Sequence, residues 1–112
     1  MDRVDGRVLD IGGFDGYWAA SLDGVEALSV DVDIEAIYPS VQYMRADGLQ
    51  LPFKDAAFDV VFALDVIEHV ADEQQLINEA LRVLRRGGRL ILQTPNENVH
   101  IFPKILQPWV NR

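Results

Sequence analysis

With 112 residues, 49% of them apolar and 25% charged, the chain has the composition of one small globular domain rather than a disordered segment. Eighteen acidic against ten basic residues leave a net charge of −8, which opposes binding to nucleic-acid phosphates. The absence of cysteine excludes a disulfide framework, a cysteine zinc site and thiol catalysis. No apolar run approaches the roughly 20 residues that span a bilayer, and the opening Met-Asp-Arg-Val-Asp-Gly lacks the apolar core of a signal peptide. These features describe a soluble, cytoplasmic, acidic domain with no membrane partner.

Short apolar strands and helical stretches alternate along the chain. Residues 7–11 (Arg-Val-Leu-Asp-Ile) read as a strand that runs into Gly12-Gly13. Residues 15–22 suit a short helix closed by Asp23-Gly24, and residues 25–30 a second strand ending at Asp31. Residues 33–38 suit one or two helical turns before Pro39 stops them. Residues 41–46 form a third strand, followed by a loop with Asp47-Gly48 and Leu51-Pro52. Residues 58–64 are nearly all apolar, as in a parallel strand buried on both faces. Asp72 with Gln75 resembles a capping box, and Leu76, Ile77, Ala80, Leu81 and Leu84 give the helix that follows one apolar stripe. Arg85 and Arg86 suit that helix's C-terminal end and Gly87 its C′ position. Residues 89–93 make a fifth strand, stopped by Thr94-Pro95-Asn96. The alternation indicates an α/β fold with a parallel sheet and right-handed crossovers.

In such sheets ligands bind beyond the carboxyl ends of the strands. Those ends are acidic and glycine-rich here: residues 10–16 read Asp-Ile-Gly-Gly-Phe-Asp-Gly. A nicotinamide-type fingerprint needs glycine where Phe14 and Tyr17 stand, and no Lys-Ser/Thr completes a Walker loop. The acidic loop better suits a ligand with an ammonium and a positive centre than a pyrophosphate. Asp31, 19 residues after Gly12, is placed to accept both hydroxyls of a ribose. Asp47, ending the third strand, is placed to accept from the exocyclic amine of a base. Each Asp taken singly suits a cap or a turn equally well; three that end successive strands are harder to explain by capping alone.

Six segments in order now carry a family resemblance: residues 8–16 (Val-Leu-Asp-Ile-Gly-Gly-Phe-Asp-Gly), 29–33 (Ser-Val-Asp-Val-Asp), 46–53 (Ala-Asp-Gly-Leu-Gln-Leu-Pro-Phe), 58–61 (Phe-Asp-Val-Val), 65–70 (Asp-Val-Ile-Glu-His-Val) and 82–90 (Arg-Val-Leu-Arg-Arg-Gly-Gly-Arg-Leu). The chain resembles the class I S-adenosylmethionine-dependent methyltransferases, in particular the broad type 11 group, over residues 7–96. The resemblance implies a Rossmann-like parallel sheet of about five strands in the order 3-2-1-4-5, flanked by helices and lacking the last two family strands. It implies S-adenosyl-L-methionine as cofactor and methyl transfer to an unidentified acceptor, in the first instance a small molecule. Asp10, Gly12, Gly13 and Phe14 would hold the methionine portion, Asp31 the ribose and Val32 the adenine face. Asp47 and Gly48 would read the adenine edge, with Leu64 or Asp65 closing over the ammonium. Phe14 departs from the Gly-x-Gly-x-Gly loop usual in the family, although residues 14–18 (Phe-Asp-Gly-Tyr-Trp) resemble some tRNA wobble-uridine and related methyltransferases.

His69, next to Glu68, is the weak candidate for a catalytic base. One His with one Glu is too few ligands for a defined metal site, so no metal is expected, and shaping the rim of the acceptor pocket is the plainer role. Tyr17 and Trp18 suit helix packing, and His100 sits in an uninformative tail. The division expected is a cofactor-binding core over 1–98 and an apolar tail over 99–112. The chain reads as the cofactor half of a family member, either a fragment or a natural minimal form. A non-catalytic binding or scaffold module with the same fold is the alternative. The fifth strand would present an apolar edge that proteins rarely leave open. Its cover is expected to be the chain's own tail or a second copy across a twofold axis, hence a homodimer.

Overall fold

The computed structural model describes residues 6–63, 72–92 and 100–103, the last stretch by its backbone only. Strands β1 (Gly6–Ile11), β2 (Val25–Asp31), β3 (Val41–Arg45), β4 (Phe58–Ala63), β5 (Leu84–Leu92) and β6 (His100–Pro103) form one sheet in the order β3-β2-β1-β4-β5-β6. The first five are parallel in the expected order 3-2-1-4-5, and β6 adds to β5 antiparallel. Helix α1 (Tyr17–Ala20) packs on β1 and β2, and α2 (Glu73–Val83) on β4 and β5.

The period of two along each strand sorts side chains between the two helical layers. Leu9, Ile11, Val30, Val61 and Ala63 lie in one core with Leu76, Ala80, Leu81 and Val83 of α2. Val8, Val60 and Phe62 pack against Leu22 on the other face, beside Ala19 of α1 with Ala27 and Val41. Asp10 and Ser29 fall on that second face, because they alternate with Leu9, Ile11, Leu28 and Val30 and are register partners. Burial of β4 on both sides explains its near-continuous apolar sequence.

Several local readings change. Residues 33–38 are not helical: the Glu35 amide donates to the Phe14 carbonyl (3.1 Å) and the Tyr38 amide to the Tyr43 hydroxyl (3.2 Å), which ties this segment to its neighbours as loop. Helix α1 keeps only four residues, between Gly16 at φ 76° and Ser21, whose hydroxyl donates to the Trp18 carbonyl. At α2 the Asp72 carboxylate accepts from the Gln75 amide (2.9 Å), but the Gln75 side chain donates to the Leu49 carbonyl instead of closing the box. That helix ends at Val83, so Leu84 to Gly87 belong to β5. There Phe58 pairs with Leu84 but Val60 with Arg89, and Gly87, at φ 76°, lies in this shift of register rather than at a helix C′ position. The chain's own residues 100–103 take the edge of β5 from Arg89 to Leu92. Leu64, Asp65, Glu68 and His69 lie outside the described residues.

Candidate functional site

The carboxyl ends of β1 and β2 are built around one tight turn. The Gly12 and Gly13 amides both donate to the Val30 carbonyl, at 2.7 and 3.4 Å, and the Gly16 amide donates to the Gly13 carbonyl at 2.8 Å. Gly12 takes φ 74°, where a side chain is strained. Gly13 is required for another reason: a Cβ on it would lie 2.5 Å from Asp10 Oδ2 and against Ser29 Oγ. Phe14 holds φ 49°, so the loop keeps the left-handed backbone that glycine readily takes while a half-exposed aromatic ring occupies the position.

Beneath this turn Asp10 and Ser29 are each 1% exposed, and Asp10 Oδ2 and Ser29 Oγ have no hydrogen-bond partner among the described residues. Burial above all, with the charges of Asp31 and Asp15, pushes the Asp10 carboxyl up to about 7 against the opposing pull of the Ala19 amide. A carboxylate buried without a cation is costly, so this is the most unusual electrostatic environment among the described residues.

Asp31 stands at the end of β2. Its Oδ2 accepts from the Phe14 amide (3.1 Å) and its Oδ1 from the Asp33 amide (3.3 Å), which ties the glycine loop to the loop after β2. A carboxylate has about four acceptor positions, so capacity remains. Val32 beside it is 63% exposed, and its carbonyl accepts from Arg45 Nη1 (3.0 Å). Asp47 closes an Asx turn: Oδ1 accepts from the Leu49 amide (2.9 Å) and its carbonyl from the Gln50 amide (3.0 Å). Gly48 lets this turn lie on the core, since a Cβ there would meet Leu76 Cδ1 at 2.7 Å and Ile11 Cγ2 at 3.0 Å.

The structure therefore gathers Asp10, Gly12, Gly13, Phe14, Asp31 and Val32 at one turn, and Asp47 with Gly48 follows the neighbouring β3. Leu64, Asp65 and His69 cannot be added to this geometry. Two members were missed by sequence reasoning. Ser29 carried a signal, being polar inside an apolar strand and two residues before Asp31. Tyr43, whose hydroxyl donates to the Asp15 carbonyl (2.7 Å) and so anchors the loop, carried none, because aromatic residues are ordinary in strands. Among the described residues no group of three or more His, Asp or Glu is placed to hold a metal ion.

Fold and turn together define an α/β domain whose acidic, glycine-rich turn lies at the carboxyl ends of its parallel strands, the end at which sheets of this kind bind ligands. Residues 9–92 match the family model described as a methyltransferase domain, and the chain belongs to that family. It is 42% identical over 93 residues to an uncharacterized methyltransferase of Mycobacterium sp. (strain KMS), covering 76% of this chain and 37% of that protein. It is 39% identical over 97 residues to a probable S-adenosylmethionine-dependent methyltransferase of Mycobacterium tuberculosis (strain ATCC 25618 / H37Rv), covering 80% of this chain and 35% of that one. The chain thus spans little more than a third of the length of these relatives. Among solved structures it resembles the YcgJ protein of Bacillus subtilis, with TM-score 0.72 and 29% identity over 80% of this chain and 44% of that one. It also resembles phosphoethanolamine N-methyltransferase 2 of Haemonchus contortus, solved with S-adenosyl-L-methionine: TM-score 0.69, 27% identity, 82% of this chain and 25% of that one. The chain is thus a domain of the S-adenosylmethionine-dependent methyltransferase family. No helix among the described residues is long and apolar enough to cross a membrane.

Proposed function

We propose that the turn formed by residues 12–16, with Asp10 beneath it and Asp31 and Asp47 beside it, is the cofactor site. The observation that supports this most is the pair of buried, unpartnered acceptors under a glycine that admits no side chain. The donor set suits a ligand with an ammonium and a ribose. Asp10 provides negative charge, the glycine loop a backbone that a ligand can approach, and Asp31 a carboxylate with spare acceptor positions for two hydroxyls. Val32 offers exposed apolar surface for the adenine face, and Asp47 and the backbone at Gly48 offer polar groups for its edge. Leu64 or Asp65, outside the described residues, completes the proposal on the ammonium side.

The bound cofactor supplies a sulfonium methyl that is already electrophilic. The protein's task is then positional: to hold that ligand by its charge and its sugar while the acceptor is aligned. A general base is needed only for an acceptor that must lose a proton, and His69 is the candidate for that duty. The acceptor we propose is a small molecule. Asp33, Glu35 and Asp47 are exposed in the loops beside the turn, with Arg45 the exposed cation among them, and Phe14, Tyr17 and Trp18 are part-exposed; this acidic excess, on a chain of net charge −8, disfavours a polyanion.

Calorimetry with S-adenosylmethionine on the parent and on Asp31→Ala tests the site. Two charge-assisted hydrogen bonds are worth roughly 1.5–3 kcal/mol each at most, so the variant is expected to bind at least tenfold more weakly. Equal affinity removes Asp31 from the site. Transfer of labelled methyl to a panel of small molecules, set against RNA, tests the acceptor class. Labelling of RNA alone contradicts the small-molecule reading, and binding without any transfer supports a binding module instead.

A further inference from the structure

Asp10 is buried on the α1 face with one oxygen unpartnered, and the groups around it leave its charge uncompensated. From β2 come Ser29, its register partner, and Asp31; from the glycine loop comes Asp15. From β4 the register partner is Phe62, which carries no charge. From β3 the hydroxyl of Tyr43 is committed to the Asp15 carbonyl, and the guanidinium of Arg45 to the Val32 carbonyl. Helix α1 provides the Ala19 amide, with the Tyr17 ring turned largely to solvent. Three carboxyls thus converge on one turn, and among the described residues no cation is paired with the buried one.

We propose that the Asp10 carboxyl, with the Ser29 hydroxyl beside it, carries a proton in the ligand-free protein and releases that proton to solvent when a cationic ligand occupies the glycine loop. This rests on the cofactor reading above and deepens it: binding becomes coupled to pH. Only the O–H bond of the carboxyl breaks, and the proton passes to buffer. Burial and the neighbouring carboxylates raise the carboxyl to about 7, and an arriving ammonium favours the ionised form. At pH 6 the ligand-free carboxyl is therefore mostly protonated. Below that, affinity is expected to fall nearly tenfold per pH unit, because each binding event must expel a proton.

The test is titration of the full chain with S-adenosylhomocysteine at pH 6 in two buffers of unlike ionisation enthalpy, repeated on Asp10→Asn. The parent is expected to release close to one proton per site and the variant none. The variant separates release by Asp10 from release by any other group. Binding whose heat is the same in both buffers overturns the proposal while leaving the cofactor reading intact, as does equal release by the variant. Absence of any binding overturns both. An independent arm follows the Asp10 carboxyl by carbon-13 NMR in the ligand-free chain. A midpoint near 7 supports the proposal, and one among ordinary aspartates, about 4, overturns it whether or not a ligand binds.

Discussion

A methyl group added at Gly13 would sit 2.5 Å from Asp10 Oδ2 and against Ser29 Oγ, both of them on buried side chains. Gly13→Ala is therefore expected to destabilise the fold by about 1–3 kcal/mol, the usual cost of overpacking, read as a lower urea midpoint at unchanged slope. Asp10 gives a prediction of unusual sign. Its folded-state carboxyl lies near 7 and its ordinary value is 3.8, so between these values the folded chain binds more protons than the unfolded one. Its contribution then favours the fold at low pH and is lost as pH rises through about 7. Asp10→Asn, which keeps the shape without the charge, is expected to melt at a higher temperature than the parent at pH 8 and to lose that advantage towards pH 4. A variant less stable at pH 8 contradicts the assignment of an uncompensated carboxyl.

At the scale of elements, Arg82 ties α2 to the segment that precedes β4. Its Nη2 donates to the Leu51 carbonyl (2.9 Å) and its Nη1 to the Phe53 carbonyl (2.7 Å) and to Asp55 (2.9 Å). Its Nε donates to Glu79 (2.7 Å), which in turn accepts from the Leu51 amide. Arg82→Met is expected to lose about 2 kcal/mol, roughly one for each backbone carbonyl left without its donor. Arg82 holds the Glu79 carboxyl below its ordinary value of 4.5. The stabilisation from this pair is thus present above about 4.5 and lost as pH falls through the lowered value. Denaturation between pH 5 and 3 is expected to be shallower in Arg82→Met than in the parent.

The same elements show what could be read from the sequence. Strand β4 and the apolar face of α2 were legible because burial imposes a period on side chains, and the acidic ends of β1, β2 and β3 because ligand sites in parallel sheets fall there. Residues 33–38 misled: their composition tolerates a helix, and what prevents one is bonding to Phe14 and Tyr43, partners remote in sequence. Gly87 misled for a similar reason. Its positive φ serves a register shift that only pairing with β4 creates. Ser29 was overlooked because its meaning depends on its register with Asp10.

For the whole molecule, the antiparallel strand β6 shields the edge of β5 over Arg89 to Leu92. Removal of residues 99–112 is expected to expose that edge and to raise the mass found by light scattering during size exclusion. A truncated chain that remains monomeric contradicts this role. The acidic turn, the buried pair beneath it and the parallel sheet that sets both support the central proposal, that the carboxyl ends of β1 to β3 hold S-adenosylmethionine. A crystal structure of the chain with S-adenosylhomocysteine tests it most directly. The account predicts the ribose hydroxyls on Asp31, the adenine between Val32 and the Asp47–Gly48 turn, and the amino acid end over Gly12 and Gly13. A ligand bound elsewhere on the sheet, or oriented with its adenine over the glycine loop, would contradict it.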